Sequence, residues 1–488
     1  MTRPEPTPSL AWVWAALGLA GSALVAYAAP RAVDDRVVGW WYVPGAPSGR
    51  ATSLVLVYVG MAALCCAWLG LGRALPSRRG LLLVAGAWAL PLALAPPLFS
   101  RDVYSYLAQG TILALGHSPY HTAPAALAGL GHPHVLAAVS PFWRHTTAPY
   151  GPLFLGLVAL ITAIVGSHLV AGVLLTRALE LIGAVLLAIY VPRLARSLGT
   201  DARRALWLGL LSPLVTLELL AAGHNDLLMA GMLVAGVAYA LDGRPLLGVA
   251  ICALAATVKV PALAGAAFIA VAWGREELGR GAAARFMARA GVIALAVLGA
   301  VTLVTGVGVA WLSSGLFSTP AKVRLAITPA TGVGYTLASL LSDVGIDVSH
   351  RGLEGVLGVV GFVLVALAGA VLLYRVRIGR LVASLGAFLL IAAAGGPAAW
   401  PWYFVWGLSL VCALRAAQRS LALALAIAVS VFAVKPNGIL ALPLPSAPAV
   451  VAVYLLIAAA VWWGRRRRRE APGPAAVRER TPSALART

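Results

Sequence analysis

The chain has 488 residues, of which 61% are hydrophobic and 11% charged, with 37 Lys+Arg against 16 Asp+Glu. So few charges cannot clothe soluble domains, which carry roughly 25%, and disordered chains are excluded because they are poor in apolar residues. At roughly 20 residues per span the apolar content allows on the order of a dozen transmembrane helices, so the basic excess is read as loop charge that sets orientation, with no nucleic-acid partner implied.

Taken in chain order, residues 1–9 are polar and proline-rich, and the run 10–29 lacks a small-x-small cleavage site, so it is read as a retained helix. Runs 51–71 and 81–98 follow. Arg73, Arg78 and Arg79 between them place that loop in the cytoplasm, so the N-terminus is inside and the chain after residue 98 emerges outside. The stretch 99–168 holds six of the eight histidines and reads as one large external loop. Within it, 152–165 is apolar but too short to span. Run 169–191 returns to Arg193, Arg196, Arg203 and Arg204; runs 205–222 and 226–241 go out and come back.

The run 246–273 is long, yet inside arginines follow it again. Two hemi-helices broken at Val258-Lys259-Val260-Pro261 satisfy this. Proline ends a helix, lysine keeps its head near water, and broken helices at membrane depth line cavities. Run 289–310 leads to a second external loop, 311–352. Runs 353–374, 381–398, 402–414, 421–434 and 447–463 complete the pattern. The expected fold is an all-α polytopic membrane domain, 1–463, of about 12–14 membrane segments. Both termini are expected in the cytoplasm, and 464–488 reads as a disordered basic tail. The four cysteines sit in apolar runs without metal-type spacing and are read as small buried residues. Tryptophans such as Trp12, Trp14, Trp40, Trp41, Trp462 and Trp463 fall near helix ends, as an interfacial belt requires.

Chemistry concentrates on the outer side. In Ser100-Arg101-Asp102-Val103-Tyr104-Ser105-Tyr106 an acid stands where a helix reaches the outer face. Asp102 there is either a general base or half of a surface pair with Arg101. In Gly223-His224-Asn225-Asp226, Asp226 is either a site residue or the cap of the following helix. Only three lysines occur, Lys259, Lys322 and Lys435, all on the outer side of this topology. Lys259, and less so Lys322 with Arg324, suit a lipid phosphate; scattered lysines in an arginine-rich chain are the other reading. His117 and His121 flank Pro119, which argues for loop-shaping over a helical metal pair. Trp400, Trp402 and Tyr403 are either interfacial or stack on a sugar ring or prenyl chain. No phosphate-binding GxxxxGK[ST] loop, dinucleotide fingerprint or HExxH occurs. No cofactor is therefore expected, a divalent metal is left open, and an enzyme of this shape needs a donor supplied from the membrane.

Asp102-Val103-Tyr104-Ser105-Tyr106, Tyr150-Gly151-Pro152-Leu153, His224-Asn225-Asp226 and Trp400-Pro401-Trp402-Tyr403 resemble the actinobacterial polyprenyl-phosphomannose-dependent α-1,6-mannosyltransferases, within the integral-membrane GT-C glycosyltransferases. The resemblance covers roughly 80–460 and rests on the order of short motifs. It implies a GT-C-like fold with Asp102 as catalytic base. Arg101, Lys259, Lys322 and Arg324 would serve the donor phosphate. Tyr104, Tyr106, Tyr150, His224, Asn225, Asp226, Trp400, Trp402 and Tyr403 would serve substrates. It also implies a polyprenyl-phosphate mannose donor, a lipid-anchored mannan acceptor and an outward-facing site in the cell membrane. In the wider superfamily the acid often follows the first helix; here it follows the third, so two helices are additional. The rival readings are a sister enzyme moving another lipid-linked sugar, such as arabinofuranose, and a lipid or solute transporter. The absence of an inverted-repeat signal and the histidine-rich outer loop favour an enzyme.

Overall fold

In a bilayer each backbone N–H and C=O has to be satisfied without water, and helices do this within their own segment. The computed structural model describes residues 8–33, 38–41, 45, 48–276, 279–314, 323–396 and 398–470, and it is built accordingly. Among the described residues there is no strand, only a single bridge between Val434 and Leu440.

The helices are α1 (Pro8–Val33), α2 (Arg50–Leu71), α3 (Arg78–Leu94), α4 (Asp102–Ala114), α5 (Pro133–Ala138), α6 (Pro152–Val165), α7 (Leu169–Ser197) and α8 (Ala202–Gly209). A π-helical segment, Leu214–Ala221, follows. Then come α9 (Asp226–Leu241), α10 (Pro245–Ala256), α11 (Leu263–Gly274), α12 (Arg280–Thr305), the single turn α13 (Trp311–Ser313) and α14 (Pro329–Asp343). The chain closes with α15 (His350–Arg375), α16 (Leu381–Gly395), α17 (Val405–Val411), α18 (Arg415–Gln418), α19 (Leu421–Ser430) and α20 (Ala447–Glu470).

Among the described residues six helical stretches are long and apolar enough to cross a membrane: α1, α2, α7, α12, α15 and Ile378–Gly395. The pair α8 and Leu214–Ala221 makes a seventh, bent by 47°. The protein is thus an all-α polytopic membrane protein. Of the other expected segments, α9, α10, α11 and α19 are apolar helices of 16, 12, 12 and 10 residues, and α6, expected to be too short to span, has 14. Prolines and glycines cut the runs, and the short pieces survive by packing on one another.

The break at Lys259 is where the sequence places it. Helices α10 and α11 fold back on each other, with Gly265 beside Cys252, and Lys259 stands at the tip of the hairpin. The run 205–222 does not continue straight but bends at Pro213, because proline removes a backbone donor, and the helix resumes in a π register. Two close contacts set the rest. Trp68 and Trp207 stack 4.8 Å apart, and each indole N–H donates to the other's carbonyl, at 2.8 and 2.7 Å, joining α2 to α8. Helices α7 and α9 touch backbone to backbone at Gly183 and Gly231, where a Cβ on Gly231 would lie 2.4 Å from the Gly183 carbonyl oxygen.

Trp12, Trp41, Trp462 and Trp463 are exposed, as a belt residue should be. Trp40 is buried and its indole donates to the Tyr104 hydroxyl at 2.9 Å, so it belongs to the core. Helix α20 runs through the arginine block to Glu470, into the expected tail; the remainder of that tail and Lys322 lie outside the described residues.

Candidate active site

One guanidinium organises the chain around the site. Arg177, buried in the middle of α7, donates through Nη1 to the carbonyls of Ala93, at 2.9 Å, and Ala95. Its Nη2 donates to the carbonyl of Ala221 at 2.6 Å. These are the orphan carbonyls at the C-terminal ends of α3 and the π segment, where a cation is favoured. The two stretches that lead to Asp102 and His224 are therefore pinned to the same side chain. Leu98 N–H donates to Ala221 at 3.3 Å, and Phe99 N–H donates to Pro436 at 2.9 Å. Phe99 is held at φ 65°. That conformation costs a residue with a Cβ about 1–2 kcal/mol, and it turns the chain sharply into α4.

Asp102 is the first residue of α4, with its N–H donating to Ser100 Oγ at 3.0 Å. Its Oδ2 lies 3.7 Å from Nε2 of the fully buried His224. His224 Nδ1 is 2.5 Å from the Glu218 carbonyl, which can only accept, so Nδ1 carries a proton. At 3.7 Å the two make no direct hydrogen bond, and Nε2 is buried without a partner among the described residues. The imidazole stacks on Trp402 at 4.1 Å, and Trp402 stacks on Trp400 at 4.5 Å.

Asp226 does not cap α9. The N-cap is Asn225, which makes no side-chain cap bond. The buried Asp226 carboxylate instead accepts from Lys259 Nζ at 2.8 Å on each oxygen and from Trp406 Nε1 at 2.5 Å. Lys259 thus differs from the open point charge expected. Two of its three donors are spent on Asp226, while Nζ lies 4.6 Å from the Tyr403 ring centre. The hairpin tip is held in place by the segment that leads into α6. Gly151 N–H donates to Val258 at 3.0 Å, and Leu153 N–H donates to Thr257 at 2.9 Å. A Cβ on Gly151 would fall 2.2 Å from the Thr257 carbonyl oxygen, so only glycine allows this approach.

Between these elements lies a cavity of about 520 Å³. Its polar end is formed by Asp102, Ser105, Gln109, Tyr150, Lys259 and Tyr403. Its other arm is apolar, built from Leu263 and Ala267 of α11, Phe362 and Val365 of α15, and Phe388 and Ala392 of α16. Phe362 is exposed, so this arm reaches the outer face of the bundle. Ser105 Oγ and Gln109 Oε1 have no hydrogen-bond partner among the described residues. Burial, and then the Asp102 carboxylate, pushes the Tyr150 phenol up, so its hydroxyl stays a donor; Tyr106 meets it edge-on at 4.8 Å. Tyr120, whose phenol burial likewise pushes up, donates to the Tyr150 carbonyl at 2.7 Å.

Of the residues expected from sequence, the cavity brings together Asp102, Tyr150, Lys259, Trp400 and Tyr403. Tyr106, His224, Asp226 and Trp402 lie behind them, while Asn225 is buried with its amide unbonded among the described residues. Arg101 and Tyr104 face elsewhere: Arg101 donates to the Ala138 carbonyl from Nε at 3.1 Å and Nη2 at 2.6 Å, and stacks over Tyr104. Arg324 Nε lies 3.4 Å from Glu354 Oε2, one residue from the cavity-lining Val323. Among the described residues no three metal-type side chains converge. Arg177, Ser105, Gln109 and Trp406 were not expected. A charge in the middle of an apolar run is a standing signal for Arg177; the other three carry none.

An acid and a lysine at one end of a cavity whose apolar arm leads to the bundle surface make up the candidate site of this polytopic membrane protein. Residues 11–275 match the family model described as Alpha-(1->6)-mannopyranosyltransferase, N-terminal domain, and residues 328–471 match the MptB C-terminal domain. The chain belongs to this MptA/MptB family. It is similar to Alpha-(1->6)-mannopyranosyltransferase A of Mycobacterium tuberculosis, 35% identical over 404 residues, covering 80% of this chain and 77% of that protein. It is also similar to the protein of the same name from Corynebacterium glutamicum, 30% identical over 395 residues, 74% of this chain and 79% of the relative. Alpha-(1->6)-mannopyranosyltransferase B of the same organism is 28% identical, over 83% of this chain and 73% of the relative. No solved structure matches.

Proposed function

We propose that the protein is an inverting, GT-C-type mannosyltransferase of the outer membrane face. It moves mannose from polyprenyl-phosphate mannose to the 6-hydroxyl of a growing, lipid-anchored α-1,6-mannan. The observation that carries this is the cavity itself, with Asp102 and Lys259 at its polar end and an apolar arm open to lipid. The arm fits a prenyl chain, and the ring and phosphate of the donor then fall at the polar end. Asp102 takes the proton of the acceptor 6-hydroxyl as its oxygen attacks the anomeric carbon. The bond from that carbon to the phosphate oxygen breaks, the configuration changes from β to α, and polyprenyl phosphate leaves. Lys259, oriented by Asp226, offers its third N–H to the departing phosphate. Trp400 and Tyr403 supply faces for a sugar ring.

The test is transfer from labelled prenyl phosphomannose to a short α-1,6-mannoside by membranes containing the protein. Asp102→Asn should reduce the rate by roughly 10²–10⁴-fold with the protein still inserted. Full activity in that variant removes Asp102 from its role. A wild-type protein that prefers another prenyl-linked sugar, or moves lipid without forming a glycosidic bond, overturns the reading.

A further inference from the structure

Helices α3 and α8 both start at an arginine-rich end of the bundle and run towards Asp102 and His224. That opposite end carries two cavities that share a wall. The first, about 570 Å³, is polar and lined by Thr200, Arg204, Arg415, Gln418 and Arg419. The second, about 400 Å³, also touches Arg204, Gln418 and Arg419, adds Arg73, and continues as an apolar groove along Leu69, Leu421 and Leu425.

The shared wall is rigidly made. Gln418 is 5% exposed, and its Nε2 lies 3.0 Å from the Asp201 carbonyl and 3.1 Å from the Cys412 carbonyl. Its Oε1 accepts from Asp201 N–H at 3.3 Å. Arg415 Nη2 donates to the Gly199 carbonyl at 3.2 Å. The one acid in the polar cavity, Asp201, is committed to the N–H groups of Arg203 and Arg204 at the start of α8. Among the described residues no carboxylate pairs with Arg73, Arg204, Arg415 or Arg419. Leu421 and Leu425 are 61% and 45% exposed, so the groove opens on the exposed apolar side of α19.

Loop arginines that only set orientation need no concave site and no groove beside them. Here a cationic pocket, with three arginines against one carboxylate in its lining, and an apolar channel share Arg204 and Arg419. We propose that the two cavities form one site for an anionic phospholipid, distinct from the donor cavity. Its phosphate lies among Arg204, Arg415 and Arg419, and one acyl chain follows Leu69, Leu421 and Leu425. Guanidinium forks suit phosphate oxygens, and basic pockets of this kind at a membrane surface select anionic headgroups.

The experiment is native mass spectrometry of the full chain in detergent, titrated with phosphatidylglycerol and with phosphatidylcholine of the same acyl chains. Phosphatidylglycerol should be retained roughly tenfold or more over phosphatidylcholine, and Arg204→Gln with Arg419→Gln should abolish the preference. Leu425→Trp, a change on an exposed face, should fill the groove and weaken phosphatidylglycerol binding several-fold. Millimolar inorganic phosphate should not displace the lipid. Equal retention of the two lipids, or an unchanged preference in the double variant, overturns the proposal. So does full displacement by phosphate together with an indifferent Leu425→Trp, which marks a site for a free anion. If the double variant does not fold, the groove variant and the phosphate competition decide alone.

Discussion

At the scale of single residues the site is a set of buried charges that hold one another. The Asp226–Lys259 pair is the clearest, because Asp226 is fully buried and Lys259 only 13% exposed. Removing one partner of such a pair leaves the other charge without compensation, at a cost of about 3–5 kcal/mol. Asp226→Ala should therefore lower stability by that amount in detergent unfolding, and Lys259→Met should restore part of it. The double variant should be less unstable than the sum of the singles by more than about 1 kcal/mol. Matching sums would show that the pair contributes nothing as a pair. His224 is fully buried and lies behind Asp102. His224→Ala should thus lower kcat roughly ten- to a hundredfold and leave KM for the acceptor nearly unchanged. A rise in KM alone would make it a substrate contact. Asp102 and Lys259 were legible because charges are rare in this chain and stand out. The Lys259–Asp226 partnership was not, since 33 residues of sequence separate two groups that only the hairpin brings together.

At the scale of elements the architecture depends on how half-length helices are held end-on. Arg177 stands in for the water that would otherwise satisfy the carbonyls of Ala93, Ala95 and Ala221. Each buried polar group left unpaired costs about 1–3 kcal/mol. Arg177→Met should therefore destabilise the protein by several kcal/mol and release the turn at Phe99; unfolding in detergent and protease sensitivity near residues 95–101 report both. Gly151→Ala should push the hairpin tip away from the first loop and lower transfer activity much more than it lowers membrane insertion. An active Gly151→Ala enzyme would show that Lys259 need not be fixed from that side. The break at Val258–Pro261 was legible because a proline, a lysine and an overlong apolar run coincide there. The bend at Pro213 had the same proline signal without a charge to draw attention. The π register after it leaves no mark in sequence, because it follows from packing on neighbouring helices.

At the scale of the molecule the arginine-rich end that carries Arg73, Arg204, Arg415 and Arg419 lies opposite the acid Asp102, which makes orientation testable. In a background without Cys65, Cys66, Cys252 and Cys412, His117→Cys should react with a membrane-impermeant thiol reagent on intact cells. Arg203→Cys should react only after permeabilisation, and both positions are exposed. The reverse pattern would put Asp102 in the cytoplasm and remove the membrane-supplied donor from the proposal. Fold class was legible, since hydropathy reports it directly. The count of full spans was not, because apolar content alone cannot tell one long helix from two short ones lying side by side.

The lateral opening of the cavity at Phe362 has a kinetic consequence. A reactant that enters through the side of the bundle never dissolves in water, so its effective concentration is a mole fraction in a two-dimensional phase. Added inert lipid or detergent should then slow the reaction at fixed bulk donor, and restoring the surface fraction should restore the rate. The short soluble mannoside used as acceptor in the transfer assay should be indifferent to that dilution.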